Sequence, residues 1–527
     1  MKTKCATPFA RSLRNRKEFT LTFELVPSRG SRSKEQARIL ELARQIAADG
    51  RIRAVSITEN AGGHPALSPE VLGIEIRRLG LDVIIHVSCK DKNRNQMESL
   101  LFAWDRAKLH NLLVITGDYP KAGYEGFPKP VFDLDSVQAL DLMAQMNEGL
   151  AVSEAGRPAR LPATAFVRGV AVSPFKMLEA ELVPQYGKLL RKAAAGADYA
   201  ITQVGFDARK LQEVLLFMRQ HGVDLPILGN VFVPNPKVME LMARGAIPGC
   251  VIPDRLHRAM LAEAAAPDRG KEARLRRAAK LTAVLRGLGY DGVHIGGPGL
   301  TFPDLAFLLD EAERLAPRWR ELVADLLFWP EEAFWYYERD PADGLNRPVQ
   351  ACRPRPGAPP LAFRAARLAH DLLFTGQGLL TAPMRRLCLG LAETRLAPWL
   401  ARFEHVVKLL AFECQNCGDC TLAELAFLCP QSGCAKYILN GPCGGSRDGW
   451  CEVYPGRKRC LYVRVYERLK TIGQEGRLEA GFIPPRDWSL NNSSSWVSFF
   501  AGRDHAAKGR GGLTGKGRRD PPRPESP

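Results

Sequence analysis

Eight strand-like runs, each followed by a helical stretch, between residues 19 and 316 constrain this chain more than any other feature. The runs are FTLTFELVP (19–27), AVSITE (54–59), DVIIHVSC (82–89), LLVITGD (112–118), TAFVRGVAVSP (164–174), YAITQVGF (199–206), PILGNVFVP (226–234) and GVHIGG (292–297). Their near-continuous apolar character predicts strands buried on both faces, as in a parallel sheet. Eight such units in about 300 residues fit a (β/α)8 barrel. An open doubly wound sheet is the alternative, but no Gly-x-Gly-x-x-Gly follows the first strand.

The rest of the chain divides by composition. Residues 317–360 are aromatic, then rich in Pro and Arg, and read as a helix and linker. Residues 361–490 read as a smaller, mostly helical, cysteine-rich metal-binding domain. Residues 1–18 and 491–527 read as a basic arm and a basic disordered tail. The net charge of +17 invites a nucleic-acid reading. More than half of it falls in residues 1–18 and 501–527, and the cysteine block lacks interleaved aromatic and basic runs. No nucleic-acid partner is expected. A GLTGKG stretch in the tail fails the phosphate-loop spacing. No apolar run reaches the ~18 residues of a membrane span, and the basic N-terminus has no apolar core of a secretory signal. A cytoplasmic protein is expected.

Eight of the 13 cysteines fall within residues 414–460: Cys414, Cys417, Cys420, Cys429, Cys434, Cys443, Cys451 and Cys460. Without a secretory context, a thiolate cluster of this density points to metal rather than disulfides. Three thiols at x2 intervals can wrap one corner of an iron–sulfur cluster, and Cys429 precedes a proline as in ferredoxin runs. A four-cysteine zinc site is the structural alternative. Eight ligands suffice for two sites, and the spacing does not say which four belong together.

Chemistry in a (β/α)8 barrel sits at the C-terminal strand ends. The assigned strands bring Glu24, Thr58, His86, Asp118, Gln203, Asn230 and His294 to that mouth. Burial would raise the pKa of Glu24 and suit it to general-acid work. Taken singly, each has a plainer reading. Glu24 caps a strand or pairs with an Arg, Asp118 forms a turn, and His86 and Gln203 satisfy backbone. Cys89 packs as a small hydrophobe.

Together these stretches resemble the methylenetetrahydrofolate reductase family. The matching segments are FELVP, SITENAGG, HVSCKDKNRN, LLVITGDYP, KAAAGADYAITQ and GVHIGG, over residues 20–316. The resemblance implies a flavin-dependent barrel that reduces 5,10-methylenetetrahydrofolate to 5-methyltetrahydrofolate, with FAD in preference to FMN. Glu24 matches the family's general acid, which opens the imidazolidine ring to an iminium. Asp118 matches the aspartate beside flavin and pterin, and Gln203 the folate-contacting glutamine. Thr58, His86, Lys192 and Ala197 match flavin-contacting positions. Two segments depart. A Tyr-Pro-Glu-x-His segment becomes Ser173-Pro174-Phe175-Lys176, which puts the flavin type in question. A Thr-Leu-Asn after the last histidine becomes Gly296-Gly297-Pro298, which puts direct NAD(P)H use in question. NGPCGGSRDGWCEV (440–453) resembles the cysteine-rich C-terminal domain fused to some of these reductases. That implies electrons entering through a [4Fe-4S] domain, or through a ferredoxin or heterodisulfide-reductase-like partner docked on it. The alternative is NAD(P)H reducing the flavin directly beside a structural zinc module. A homo-oligomer is expected.

Overall fold

The computed structural model describes residues 7–154, 157–354, 356–376 and 378–508. Among the described residues, ten strands lie in the first part of the chain: β1 (Thr20–Leu25), β2 (Ala54–Ile57), β3 (Asp82–Ser88), β4 (Asn111–Ile115), β5 (Ala151–Glu154), β6 (Arg157–Arg160), β7 (Val167–Val172), β8 (Tyr199–Thr202), β9 (Ile227–Phe232) and β10 (Gly292–Gly296). Eight of them close a parallel barrel in the order β1-β10-β9-β8-β7-β4-β3-β2. All eight expected strands are barrel strands, and closure excludes the open sheet. β5 and β6 form a separate antiparallel hairpin that the sequence reading missed. Its residues, AVSE and RPAR, carry a turn-like and proline-containing pattern rather than a strand pattern.

Helices wrap the barrel: α1 (Pro8–Arg14), α2 (Lys34–Asp49), α3 (Pro69–Arg77), α4 (Arg94–Arg106), α5 (Ser136–Glu148), α6 (Glu179–Ala194), α7 (Ala208–Gln220), α8 (Pro236–Ala243), α9 (Asp254–Glu263), α10 (Lys271–Leu288) and α11 (Phe302–Leu315). The first corrects the expected N-terminal arm. From Thr7 onward that segment is a capped helix closing the N-terminal end of the barrel. Phe9, Ala10 and Leu13 are buried with Ile84, Val167, Tyr199 and Leu228. The Phe9 ring meets Tyr199 edge-on at 5.2 Å, and its backbone N–H donates to Asp82 Oδ2 at 2.8 Å.

The expected linker is corrected too. Residues 316–326 form a 3-10 helix. β11 (Tyr337–Arg339) and β12 (Asn346–Gln350) then pair antiparallel. Arg209 Nε donates to Asn346 Oδ1, and Glu213 accepts the Tyr336 N–H. Charged anchors on α7 therefore hold a segment that composition alone made look loose.

The chain divides into two compact units, and the division cuts the expected 361–490 domain in two. The first unit runs through Pro359 and regains Gly433–Gly481. The second comprises Pro360–Ser432 and the chain from Phe482. In the first unit, α16 (Leu461–Lys470) packs on α6, and Lys470 pairs with Glu179 at 2.7 Å. Gly187 in α6 lets the turn after α16 come close as well, since a Cβ there would lie 2.9 Å from Leu478 O.

The second unit holds α12 (Leu361–Leu373), α13 (Thr381–Ala392), α14 (Ala397–Phe412), a cysteine loop running to the short α15 (Pro430–Gly433), whose last residue belongs to the first unit, and α17 (Ser495–Phe500) with α18 (His505–Lys508). Glu404 on α14 pairs with Lys408 at 2.7 Å and accepts from the Ser494 and Ser495 hydroxyls. The expected disordered tail is thus ordered from 491 to 508, and the GLTGKG stretch lies outside the described residues. His505 sits between Asp419 (2.6 Å) and Glu424 (3.3 Å). Burial opposes its protonation, but the two carboxylates win and raise its pKa to about 10. A raised histidine contributes stability that is complete below its unfolded pKa of about 6.5, declines above it, and is gone beyond pH 10. The second unit should therefore unfold at lower urea at pH 9.5 than at pH 6.5. His505→Gln should flatten that difference, read by circular dichroism.

No described helix is long and apolar enough to cross a membrane.

Candidate active site

The C-terminal strand ends open into a cavity of about 1130 Å³. Parallel pairing fixes its floor. Thr22 is in register with His294, Glu24 with Ser56, and His294 with Asn230. His294 Nδ1 lies 2.8 Å from Thr22 Oγ1, and its Nε2 lies 3.3 Å from Ser56 Oγ and 3.8 Å from Glu24 Oε2. Two hydroxyls therefore fix the ring plane, and the imidazole faces the carboxylate. His86 completes the group, with ligand atoms of Glu24, His86 and His294 all within 4.8 Å of one another.

The electrostatics correct one expectation. Burial pushes the Glu24 carboxyl upward, as expected. The contact with His294 and its charge, with a further contribution from His86, outweigh burial, so the net direction is down. His86 is held by burial at about 4, so it is neutral near pH 7. The lowering of Glu24 there rests on His294.

Around this group lie buried polar atoms without hydrogen-bond partners: Thr58 Oγ1, His86 Nε2, Ser173 Oγ and Gln185 Nε2. All four residues line the cavity. A buried polar atom left unmatched costs about 1–3 kcal/mol, so four around one cavity mark a surface shaped for a polar-edged ligand. Thr58 and His86 are two positions expected to touch flavin. Ser173 and Gln185 were missed, because nothing in SPFK or in a helical EAELVPQYGK announces an inward-facing polar atom. Lys192 also lines the cavity. Its Nζ donates to Ala171 O at 2.6 Å, and burial together with Lys188 lowers its pKa to about 7. A nearby anion would restore its charge. These donors fit a flavin, with Lys192 as partner for an anionic group.

Ala197 does not join them. It lies in the turn before β8, at the end of the strand away from the mouth, with its N–H bonded to Lys192 O. It is not among the residues that line the cavity. Gln203 does line the cavity, its Oε1 accepting the Val204 N–H and facing Cys250 Sγ at 3.9 Å.

Asp118 accepts the Gly62 N–H at 2.9 Å. Burial raises its pKa, Glu452 adds to the rise, and Lys436 opposes it. Both partners come from the returning segment Gly433–Gly481. The buried Lys436 donates to Gly117 O at 2.6 Å and pairs with Glu452. Gly117 has φ +89, and a Cβ there would fall 2.1 Å from Ser88 Oγ, so the TGD turn needs glycine. The loop around Cys443 is fastened from the barrel side. Lys176 donates to Gly444 O and Ser446 O, both at 2.6 Å, and Lys188 to Gly441 O and Pro442 O. Cys443, Gly444 and Gly445 line the cavity.

The described cysteines are free thiols. Cys414, Cys417, Cys420 and Cys429 belong to the second unit, and Cys434, Cys443, Cys451 and Cys460 to the first. Burial raises Cys414 to about 11 and Cys460 to about 12, with Cys417, Cys434 and Cys443 shifted the same way. Thiols so shifted ionise near pH 7 only against a strong Lewis acid, which is what a bound metal supplies.

No curated protein matches the chain. Among solved structures, an uncharacterized protein from Clostridium thermocellum that binds two copies of 5-methyl-5,6,7,8-tetrahydrofolic acid aligns at 13% identity and TM-score 0.42. That alignment covers 59% of this chain and 99% of the other. EDTA monooxygenase (EmoA) from Chelativorans sp. BNC1 aligns at 12% identity and TM-score 0.36, over 58% and 98%. Both likenesses are too distant to bear on function. The family models do bear on it. Residues 395–489 match "Methylene-tetrahydrofolate reductase C terminal", and residues 9–295 match "Methylenetetrahydrofolate reductase". The second match takes in the barrel strands through Ile295 and more than half of the chain, so this protein belongs to the methylenetetrahydrofolate reductase family and is an oxidoreductase of that kind.

Proposed function

We propose that the barrel mouth binds a flavin and 5,10-methylenetetrahydrofolate together, and that electrons reach the flavin through the cysteine-bearing segments. The observation that carries this reading is convergence on one cavity. The unmatched Thr58 and His86 atoms, the Glu24–His294 pair, Asp118 and Cys443 all line it. Its volume exceeds the ~300–1,000 Å³ of a typical single-ligand pocket, leaving room for two stacked aromatic ligands.

A bound flavin supplies the two-electron reduction of the methylene carbon. The chain's residues do the rest. Glu24 holds the proton that ring opening requires at the folate nitrogen N10. Closure of an aromatic ligand over the mouth removes the remaining 22% exposure of its side chain. That strengthens the upward push of burial against His294. Asp118 and Gln203 hold the pterin, and Thr58, His86 and Lys192 hold the flavin, FAD in preference to FMN.

Iron–sulfur ligation is proposed in preference to zinc for the thiols, with a separate electron-carrier protein as donor. An apolar stripe on α14 supports a partner: Trp399, Phe403, Val406 and Leu410 are exposed there. The test is an anaerobic absorption spectrum with flavin, iron, sulfide and zinc assays on one sample. The expected result is flavin with iron and acid-labile sulfide, and slow flavin bleaching by NAD(P)H. Zinc alone, with fast bleaching by NAD(P)H, would overturn the electron route and leave the reductase reading in place.

A further inference from the structure

We propose that the eight cysteines build two separate four-thiolate metal centres, one per unit: Cys414, Cys417, Cys420 and Cys429 in the second unit, and Cys434, Cys443, Cys451 and Cys460 in the barrel unit. The proposal rests on the metal-binding reading of the cysteine block, but not on the identity of the metal or on an electron route.

The boundary between units falls between Ser432 and Gly433, so it passes between Cys429 and Cys434. Each quartet surrounds its own void of about 20 Å³, and neither void is lined by a cysteine of the other set. A water needs roughly 10–15 Å³ in this measure, so both voids are real spaces, each lined by all four cysteines of its set. The sequence order fits the partition: C-x2-C-x2-C-x8-C closes one set and C-x8-C-x7-C-x8-C the other.

Counter-charge points the same way. Four thiolates around a divalent ion or a cluster leave net negative charge, which burial makes costly unless cations are near. Each void has them. Lys408 and Arg486 line the first. Lys436 lines the second. Lys188 lies behind the Cys443 loop, 2% exposed, and its ammonium is hydrogen-bonded to backbone carbonyls of that loop. Asp135 is the first negative partner of this ammonium, and the Cys443 and Cys434 side chains follow, so Lys188 can also offset the charge of an anionic centre there.

The second quartet is also part of the active-site wall. Cys443 lines both its own void and the barrel cavity, and Cys443 Sγ lies 3.5 Å from Glu452 Oε1. The loop reaches that place only with glycine. A Cβ on Gly445 would lie 1.5 Å from Glu452 Oε2, and one on Gly441 2.9 Å from Lys188 Cβ. The glycines of NGPCGGS therefore let Cys443 approach the cavity.

The test compares metal content of anaerobically purified full-length protein with that of two double variants, Cys417→Ser/Cys420→Ser and Cys443→Ser/Cys460→Ser. Each double variant should retain about half of the wild-type metal, and the combined variant none. The half that survives should differ in its absorption or paramagnetic spectrum between the two. Should a variant fail to fold, graded chelation of the wild-type chain followed by native mass spectrometry answers the same question. A species carrying one intact centre is expected. Loss of all metal from either folded double variant, or chelation with no one-centre species, would overturn the partition. Zinc instead of iron in both centres would leave the partition standing and remove only the electron route proposed above.

Discussion

Glu24→Gln should keep the flavin bound and reducible while lowering folate turnover by about 10²–10⁴, the range for loss of a positioned general acid. The amide is the same size and keeps the contact with His294, whose ring is held by Thr22 and Ser56, so the mouth should hold its shape. What it lacks is a transferable proton for the folate nitrogen. The measurement separates two half-reactions. Flavin reduction, followed by its visible band, should stay within a few-fold of wild type. Reoxidation by methylenetetrahydrofolate should collapse. Equal slowing of both would mean that Glu24 shapes the cavity and carries no proton. The wild-type rate of that second half-reaction should also fall as pH rises through the Glu24 titration, because only the protonated acid can act. His294 shapes this behaviour: its contact holds the free carboxyl low, against the upward push of burial.

The barrel was legible because β-branched runs repeat with a fixed strand–helix rhythm, and because strand ends carry the polar residues. Glu24, Thr58, His86, Asp118, Lys192 and Gln203 all line the cavity. What stayed hidden depends on contacts far apart in sequence. The depression of Glu24 comes from His294, 270 positions away, and no local pattern encodes the pairing. Ala197 sits in a motif whose neighbours point into the cavity, yet the turn before β8 leaves it at the other end of the strand. Lys176 looked like a loss at a flavin-contacting segment. It is an anchor, gripping two carbonyls of the Cys443 loop. The boundary within the cysteine block was invisible for the same reason: spacing lists ligands, while burial against α5 and α6 decides which unit owns them.

Asp135→Asn should cost about 3–5 kcal/mol of the barrel unit's stability. The carboxylate is 2% exposed and works in two directions. Oδ1 accepts the Val137 and Gln138 N–H groups and caps α5, with Gln138 completing a capping box. Oδ2 accepts the Leu439 and Asn440 N–H groups and Asn440 Nδ2, at 3.0, 2.8 and 3.0 Å. A single oxygen thus holds three donors from the returning segment. An amide can keep the cap, since one oxygen remains. Its NH2 group must then face three donors, leaving them buried and unmatched at about 1–3 kcal/mol each, partly relieved by local shift. The loss should be local before it is global. Hydrogen exchange at Leu439 and Asn440 should rise far above wild type while the amides of β1 to β4 stay protected. The Lys436–Glu452 pair beside Asp118 depends on the same docking, so the visible band of bound flavin should shift as well. Unchanged exchange at 439–440 would mean that α16 and the Lys176 and Lys188 anchors hold the segment without Asp135. The barrel and the cysteine loop would then be joined mainly through α6.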